Sequence, residues 1–161
     1  ERVLDLCAAP GGKTTHLAAL MGDRGEVVAV ERHPQRARAL RANAQRLRAT
    51  CVKVVEQDAR EPVPGGPFDR VLCDPPCSGL GTLRSHPDLR WRVTPEAIAG
   101  LAAVQAEILE AARASLRPGG VLVYSVCTLS PAEELLSGAS SWRTLPSEDD
   151  TDGFYTARDA A

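Results

Sequence analysis

Apolar residues are concentrated in five short continuous runs, each followed by a turn or by polar residues. These runs occupy residues 2–6, 27–30, 52–55, 68–73 and 121–126. Three other segments, residues 13–21, 34 to about 48 and 95–116, carry apolar residues at helical spacing instead. Apolar strands that alternate with helices are typical of a parallel sheet covered by helices on both faces. We therefore predict an α/β fold with a mostly parallel sheet.

The last part of the chain has a weaker pattern. Ser130, Pro131, Ala132 and Glu133 have the form of a capping box with proline at the first helical position, so we expect a helix to begin here. The sequence of residues 152–158 predicts a last strand, antiparallel and at the edge of the sheet. Few residues lie between these two elements, and we expect the region after about residue 134 to be shortened.

The composition is that of an ordinary globular protein, with 43% hydrophobic and 25% charged residues. A chain of 161 residues predicts one domain. No apolar run approaches the ~18 residues of a membrane span. The chain begins at Glu1 and enters a strand almost at once. We interpret residues 1–161 as one domain of a longer protein, and we expect a monomer that does not bind membranes.

Five cysteines, an odd number without a C-x-x-C pair, fit neither a disulfide framework nor a zinc knuckle. A reducing cytoplasm is therefore the predicted setting. The three histidines lack ligand spacing, so we expect no metal. The net charge of −2 gives no global signal for nucleic acid. Arginine is dense in residues 36–48, where solvated surface is the simpler interpretation, and in residues 84–92.

Residues with reactive or charged side chains follow the predicted strands. They comprise residues 7–13, Glu31, Asp58, residues 74–78 and residues 125–128. A parallel sheet binds ligands beyond the carboxyl ends of its strands, where the strand order reverses. We therefore predict a ligand-binding cleft at this edge of the sheet.

Residues 7–14, Cys-Ala-Ala-Pro-Gly-Gly-Lys-Thr, nearly match a phosphate-binding P-loop. That motif requires glycine five positions before Gly12, where Cys7 stands. Pro10 also removes an amide from the loop that would hold phosphates. Glu31 follows the glycines by about 20 residues, where a carboxylate can bind both ribose hydroxyls, and Asp58 could meet the adenine edge. Taken singly, each carboxylate is equally well explained by a strand end that faces water.

An adenosine ligand without a triphosphate satisfies the loop and both carboxylates. We assign its binding to Cys7, Ala8, Ala9, Pro10, Gly11, Gly12, Lys13, Glu31, Asp58 and Asp74.

Two cysteines stand at predicted strand ends. Cys77 follows Asp-Pro-Pro, where enzymes that methylate exocyclic amino groups carry an aromatic residue to stack the base. Cys127 ends the fifth predicted strand, in Tyr-Ser-Val-Cys-Thr-Leu-Ser-Pro. An isolated cysteine is usually inert packing, which we expect for Cys51 and Cys73. Cys7 is also expected to be structural, with its backbone near the ligand.

Three of these segments carry a family resemblance. Residues 7–15, Cys77 in its Asp-Pro-Pro-Cys setting and residues 125–133 resemble the RsmB/Sun (NSUN) group of RNA 5-methylcytosine methyltransferases. Residues 86–91 and 152–154 resemble its bacterial RsmB-like branch. The chain departs from the group after Glu133, where Glu-Asn-Glu and a full helix usually follow, and it lacks the group's N-terminal RNA-binding region.

The resemblance implies a Rossmann-like class I methyltransferase fold with S-adenosylmethionine as cofactor. It implies methyl transfer to carbon-5 of a cytosine in RNA, with small-subunit rRNA as the expected substrate and tRNA as the alternative. It assigns attack on the base to Cys127 and release of the product to Cys77. Asp74 is expected to hydrogen-bond the cytosine, and Lys13 to order this cluster.

Two other functions remain open from the sequence. One is a P-loop-like nucleotide hydrolase with Asp74 as a magnesium ligand. The other is a non-catalytic RNA-binding module on a degenerate methyltransferase fold. Trp91 is equally well explained by stacking on a base or by packing.

Overall fold

The computed structural model describes residues 1–137 and 140–160, and its described part forms a sheet of seven strands. The strands are β1 (Arg2–Leu6), β2 (Glu26–Val30), β3 (Val52–Val55), β4 (Phe68–Cys73), β5 (Leu116–Val126), β6 (Ser140–Thr144) and β7 (Phe154–Ala160). Their order is β3-β2-β1-β4-β5-β7-β6. Strands β1 to β5 pair in parallel, whereas β7 is antiparallel to both β5 and β6.

The α-helices of this part are α1 (Gly12–Leu20), α2 (Pro34–Arg46), α3 (Leu89–Arg92) and α4 (Pro95–Ala114). Val3 of β1 shares a buried cluster with Ala18 of α1, whereas the next residue, Leu4, shares one with Ile108 of α4. Successive side chains of a strand point to opposite faces, so α1 and α4 cover opposite faces of the sheet. The predicted two-sided α/β architecture is confirmed. None of these helices is long and apolar enough to cross a membrane.

The predicted edge strand is misplaced. Residues 154–160 do form an antiparallel strand, β7, but it lies between β5 and β6, and β6 is the edge. Strand β6 was not predicted because its sequence, Ser-Ser-Trp-Arg-Thr, contains no apolar run. Strand β5 also begins earlier than predicted, at Leu116, and its pairing with β4 shifts register before Val121.

The predicted helix at Ser130 is wrong. Only one turn of 3-10 helix forms, over Pro131–Glu133, and the Ser130 side chain makes no capping hydrogen bond. A capping box needs the Glu133 carboxylate to reach back to the Ser130 amide. That carboxylate is instead fully buried and accepts hydrogen bonds from Ser78 and Thr128.

Candidate active site

A cleft of about 530 Å³ lies at the carboxyl ends of the parallel strands. Residues that follow five different strands line it: Cys7 and Ala9, Glu31, Asp58, Asp74 and Cys77, and Cys127. The fold thus brings together most of the site residues predicted from the sequence. Ala8, Pro10, Gly11, Gly12 and Lys13 do not line the cleft itself, although they belong to the loop and first helical turn beside it.

The loop after β1 needs glycine at one position. Gly11 has φ of 105°, and a Cβ there would come within 2.5 Å of the Leu40 Cδ1 atom of α2. Cys7 has φ of 63°, a left-handed value that is uncommon for a residue with a side chain. Burial raises the pKa of the Cys7 thiol to about 12. Cys7 therefore stays protonated, as its expected structural role requires.

Side chains of helix α2 hold the same loop by donating hydrogen bonds to the loop's carbonyl groups. Arg36 donates to the Ala9 oxygen at 3.0 Å, and Asn43 donates to the Pro10 oxygen at 2.8 Å. Arg36 also lies 3.5 Å from the Glu31 carboxylate. Arg36 is exposed, as the solvated-surface interpretation expects, but it also contacts the loop and Glu31.

The two carboxylates at the ends of β2 and β3 have different surroundings. Glu31 is 3% exposed and accepts a hydrogen bond of 2.8 Å from the His33 amide. Asp58 accepts two side-chain hydrogen bonds from Arg60, at 3.0 and 2.8 Å, which lower its pKa to about 2. Each carboxylate has room for further donors, because a carboxylate offers about four acceptor positions.

Asp5, inside β1, was not predicted as a site residue. It is 1% exposed, and Thr14 donates to its Oδ2 atom at 2.6 Å. Its Oδ1 atom has no hydrogen-bond partner among the described residues. Burial raises the pKa of Asp5 to about 7. The signal in the sequence was one acidic residue within an otherwise apolar run.

Two side chains from the ends of different elements form an ion pair at the cleft. The Lys13 ammonium, in the first turn of α1, lies 2.6 Å from the Asp74 carboxylate after β4. About half of the Lys13 side chain is exposed, so the pair borders solvent. In the described residues, no group of three or more histidine, cysteine or acidic side chains is placed to hold a metal.

Cys77 and Cys127 are in contact, with 3.1 Å between their sulfur atoms. Both thiols are half-buried. A hydrogen bond from the Cys77 thiol lowers the pKa of Cys127, and the same interaction raises the pKa of Cys77. The pair therefore favours a thiolate on Cys127 with Cys77 as its donor. Cys73, by contrast, is fully buried in the core, as expected for packing.

A buried polar network lies directly behind the two thiols. Glu133 accepts from the Ser78 amide and hydroxyl, from Thr128 and from Gln105, at 2.8, 2.6, 2.5 and 2.9 Å. Gln105 of α4 also donates to the carbonyl of Pro76, at 2.8 Å. Sequence reasoning missed Gln105 because a single polar residue within an amphipathic helix gives no distinct signal.

A backbone bridge ties the loop after Cys77 to the rest of the site. The Gly81 amide donates to the Cys127 carbonyl at 3.0 Å, and the Gly153 amide donates to the Gly81 carbonyl at 2.8 Å. A Cβ at Gly81 would lie 1.8 Å from the Gly153 oxygen. Only glycine fits at position 81, which explains a residue that the sequence did not single out.

The arginine-bearing segment from 83 to 92 lies on the surface. Arg84 pairs with Asp150 and Arg92 pairs with Asp88, all through exposed side chains. Trp91 is 82% exposed, so it does not pack into the described core.

Comparison with known proteins identifies the family. Residues 1–140 match the family model described as 16S rRNA methyltransferase RsmB/F. The chain belongs to this family. Over 157 residues it is 48% identical to a Synechocystis protein named "Probable ribosomal RNA small subunit methyltransferase B". The aligned region covers 92% of this chain and 35% of that protein.

The RsmB/F family also has relatives named for tRNA. The chain is 41% identical over 160 residues to the mouse tRNA (cytosine(72)-C(5))-methyltransferase NSUN6, with 91% of this chain and 33% of that protein covered. The crystal structure of NSun6 from Pyrococcus horikoshii with SFG superposes with a TM-score of 0.87 at 35% identity, covering 98% of this chain and 48% of that one. The chain thus spans between a third and a half of these relatives. The Rossmann-like methyltransferase fold is confirmed, and the P-loop hydrolase alternative is wrong.

Proposed function

We propose that this chain is the catalytic domain of an RNA (cytosine-5-)-methyltransferase that uses S-adenosylmethionine and a covalent Cys127 adduct. The observation that carries the proposal is the contact of 3.1 Å between Cys77 and Cys127 in the cleft of an RsmB/F family member. Attack on a pyrimidine ring and later release from it are two tasks, and two adjacent thiols can divide them.

The cleft suits S-adenosylmethionine. Its volume of about 530 Å³ lies within the ~300–1,000 Å³ of small-molecule sites. Glu31 is proposed to bind the ribose hydroxyls and Asp58 the adenine edge, beside an apolar wall that includes Ile108 of α4. The archaeal relative was crystallised with SFG, an analogue of this cofactor. When bound, S-adenosylmethionine supplies an electrophilic methyl group on its sulfonium.

Cys127 is proposed to attack the base. Carbon-5 of cytosine is a poor nucleophile, and a thiolate that adds at carbon-6 turns it into an enamine carbon. The sulfur–carbon bond forms, and the electron pair of the ring double bond becomes available at carbon-5 for the methyl group. Loss of the carbon-5 proton and cleavage of the sulfur–carbon bond then restore the double bond and the thiolate. This is covalent catalysis, which splits a difficult step into easier ones.

Cys77 is proposed to resolve the adduct by taking the carbon-5 proton. In the free site the hydrogen bond with Cys127 and burial raise the pKa of Cys77, which keeps Cys77 protonated. The sulfur of Cys127 becomes a neutral thioether once it bonds carbon-6. That change ends the hydrogen bond to a charged partner, so Cys77 can release its own proton to solvent and then, as a thiolate, take the carbon-5 proton.

Asp74 and Lys13 are proposed to orient the cytosine. Asp74 lies between the cofactor cleft and Cys77, where its carboxylate can hydrogen-bond the base near N3 and the amino group. The Lys13 ammonium at 2.6 Å holds that carboxylate in place. The substrate is proposed to be small-subunit rRNA, with the exposed arginines of residues 83–92 facing the RNA backbone.

Opposite effects of the two cysteine substitutions test this function in the natural full-length protein with labelled RNA. Cys127→Ala removes the attacking thiolate, so we expect no methylation and no protein–RNA adduct. Cys77→Ala leaves attack and methyl transfer intact but blocks release, so an adduct should accumulate as a slow band on a denaturing gel. Cys51→Ala, outside the cleft, is the matched control and should behave like the unmodified protein.

Other outcomes contradict the proposal in different ways. A slow band only with Cys127→Ala would mean that the roles of the thiols are exchanged. Full methylation in both variants would exclude the covalent mechanism. RNA binding without turnover by the unmodified protein would instead support the remaining alternative, a non-catalytic RNA-binding module.

A further inference from the structure

The best-connected buried side chain in the described residues is Glu133, which makes no contact with the cleft. It is fully buried, together with Gln105 and Thr128. Four donors converge on its two oxygens and none of its contacts is an acceptor, which suits a carboxylate because this group only accepts. Buried hydrogen bonds to a charged group are strong and geometrically strict.

Together with a fifth hydrogen bond, from Gln105 to Pro76, these bonds reach the chain on both sides of Cys77. The Ser78 amide, directly after Cys77, donates to Glu133 at 2.8 Å. The carbonyl of Pro76, directly before Cys77, accepts from Gln105, whose amide also donates to Glu133. One connected network therefore holds the peptide groups directly before and directly after Cys77.

The same carboxylate also holds the segment that follows Cys127. Thr128 donates to Glu133 at 2.5 Å, and the Thr128 hydroxyl accepts from the Ser130 amide at 3.0 Å. Positions 77 and 127 are 50 residues apart in the chain, and they lie at the ends of adjacent strands. Glu133 thus joins the two cysteine-bearing turns, which also meet through the Ser78 and Thr128 hydroxyls, 2.9 Å apart, and through the Gly81 amide and the Cys127 carbonyl.

We propose that Glu133 positions the Cys77–Cys127 thiol pair, by joining the turn that carries each cysteine through Ser78 and Thr128. The role is one of positioning, since Glu133 touches neither thiol. The inference rests on the proposed function for its meaning in catalysis, but the geometry of the thiols can be measured without RNA or cofactor.

The decisive variant is Glu133→Gln, which keeps the shape and removes the charge that four donors share. Glu133→Gln should weaken the hydrogen bond with Cys77 that lowers the pKa of Cys127. We therefore expect the apparent pKa of Cys127, measured as the pH dependence of its alkylation by iodoacetamide, to rise by about one unit, whereas loss of the Glu133 charge alone would lower it. Formation of a Cys77–Cys127 disulfide with diamide, mapped by mass spectrometry, should slow severalfold. In the methylation assay kcat should fall about 100-fold, with KM for S-adenosylmethionine nearly unchanged.

Glu134→Gln is the matched control, because Glu134 is the adjacent carboxylate and pairs with Arg143 outside the network. It should leave all three measurements unchanged. If Glu133→Gln does not fold, Thr128→Val replaces it, with Thr128→Ser as the conservative partner that keeps the hydroxyl. Thr128→Val should shift the alkylation profile in the same direction, and Thr128→Ser should restore it.

The positioning role would be overturned if Glu133→Gln left both the alkylation profile and the disulfide rate unchanged, even if thermal stability fell. If Glu133→Gln does not fold, the same result in Thr128→Val would overturn it. A protein that shows the expected thiol shifts but no methyl transfer in its unmodified form would retain the positioning role and refute the proposed function.

Discussion

The two halves of the cleft are built in different ways. The half proposed to bind the cofactor, called the cofactor half below, lies at the ends of β1 to β3, with a left-handed Gly11 and loop carbonyls held by Arg36 and Asn43. The thiol half, at the ends of β4 and β5, is shaped by buried side chains that converge on Glu133. The first half depends on the conformation of one loop and on two hydrogen bonds from α2, and the second on one buried carboxylate that joins three segments.

The same contrast appears in the buried carboxylate of each half. Asp5 receives one hydrogen bond and no described residue partners its other oxygen, and burial raises its pKa to about 7. Glu133 receives four hydrogen bonds. Burial of a charge is tolerated where donors compensate it and disfavoured where they do not. We therefore expect the two halves to respond separately to substitution.

The largest expected effect is that of Gly81→Ala. The new Cβ would lie 1.8 Å from the Gly153 oxygen, so the backbone bridge to Cys127 must shift. A displacement of about 1 Å at the thiols predicts a loss of methylation of about 100-fold. Calorimetric titration with S-adenosylhomocysteine should nevertheless give unchanged affinity, because the cofactor half is intact.

Gly100→Ala is the control for this substitution, since no atom lies within 4 Å of a Cβ at that helical position. It should retain full activity. A loss of cofactor affinity in Gly81→Ala would contradict the separation of the two halves.

Glu31→Ala tests the cofactor half. It removes a carboxylate proposed to bind the ribose, and loss of such charge-assisted hydrogen bonds predicts weaker S-adenosylmethionine binding by about 1 to 3 kcal/mol. The rate of the Cys77–Cys127 disulfide reaction should not change. Glu56→Ala is the control, because Glu56 follows β3 but does not line the cleft and pairs with Arg41. Unchanged cofactor affinity in Glu31→Ala would argue against the proposed position of the ribose.

These halves also differ in how far the sequence predicts them. The strands, the main helices and the loop around Gly11 follow from local patterns, because each is specified by neighbouring residues. The role of Glu133 does not, since its local pattern indicates a capping box while its partners lie at positions 78, 105 and 128. Strand β6 was missed for a related reason: its pairing with β7, rather than its own composition, makes it a strand.

Asp5→Asn tests the uncompensated carboxylate. The folded pKa of Asp5 is about 7 and its unfolded value is 3.8, so the folded state binds the extra proton between these values. Stability is therefore greatest at low pH and falls as pH rises through 7. We expect the free energy of unfolding of the native protein to fall by about 1 to 2 kcal/mol more than that of Asp5→Asn between pH 6 and pH 8.

Denaturant unfolding of both proteins at each pH measures this difference. Asp69→Asn is a suitable control, because hydrogen bonds from Arg2 and Arg117 lower the pKa of that partly buried carboxyl, so its effect on stability has the opposite sign. Parallel pH profiles for Asp5→Asn and the native protein would mean that Asp5 is compensated in solution.

The smallest expected effect concerns the surface of the thiol half. Replacing Arg84 and Arg90 together by alanine should lower RNA affinity and reduce the slope of log affinity against log salt by about 1 to 2, from lost phosphate contacts. The double replacement of Arg38 and Arg46 on α2 should leave the slope unchanged. An unaltered slope in the first variant would identify those arginines as ordinary surface.

The carboxylate of Glu133 also limits how this part of the sequence can diverge. An apolar residue at position 133 alone would leave buried donors unsatisfied, at about 1 to 3 kcal/mol each, whereas apolar replacement of a donor together with its acceptor can be nearly neutral. Evolutionary change is therefore expected to be concerted. Across many related sequences, positions 78, 105, 128 and 133 should be retained together or exchanged together, which makes them a covarying set that spans 56 positions of the chain.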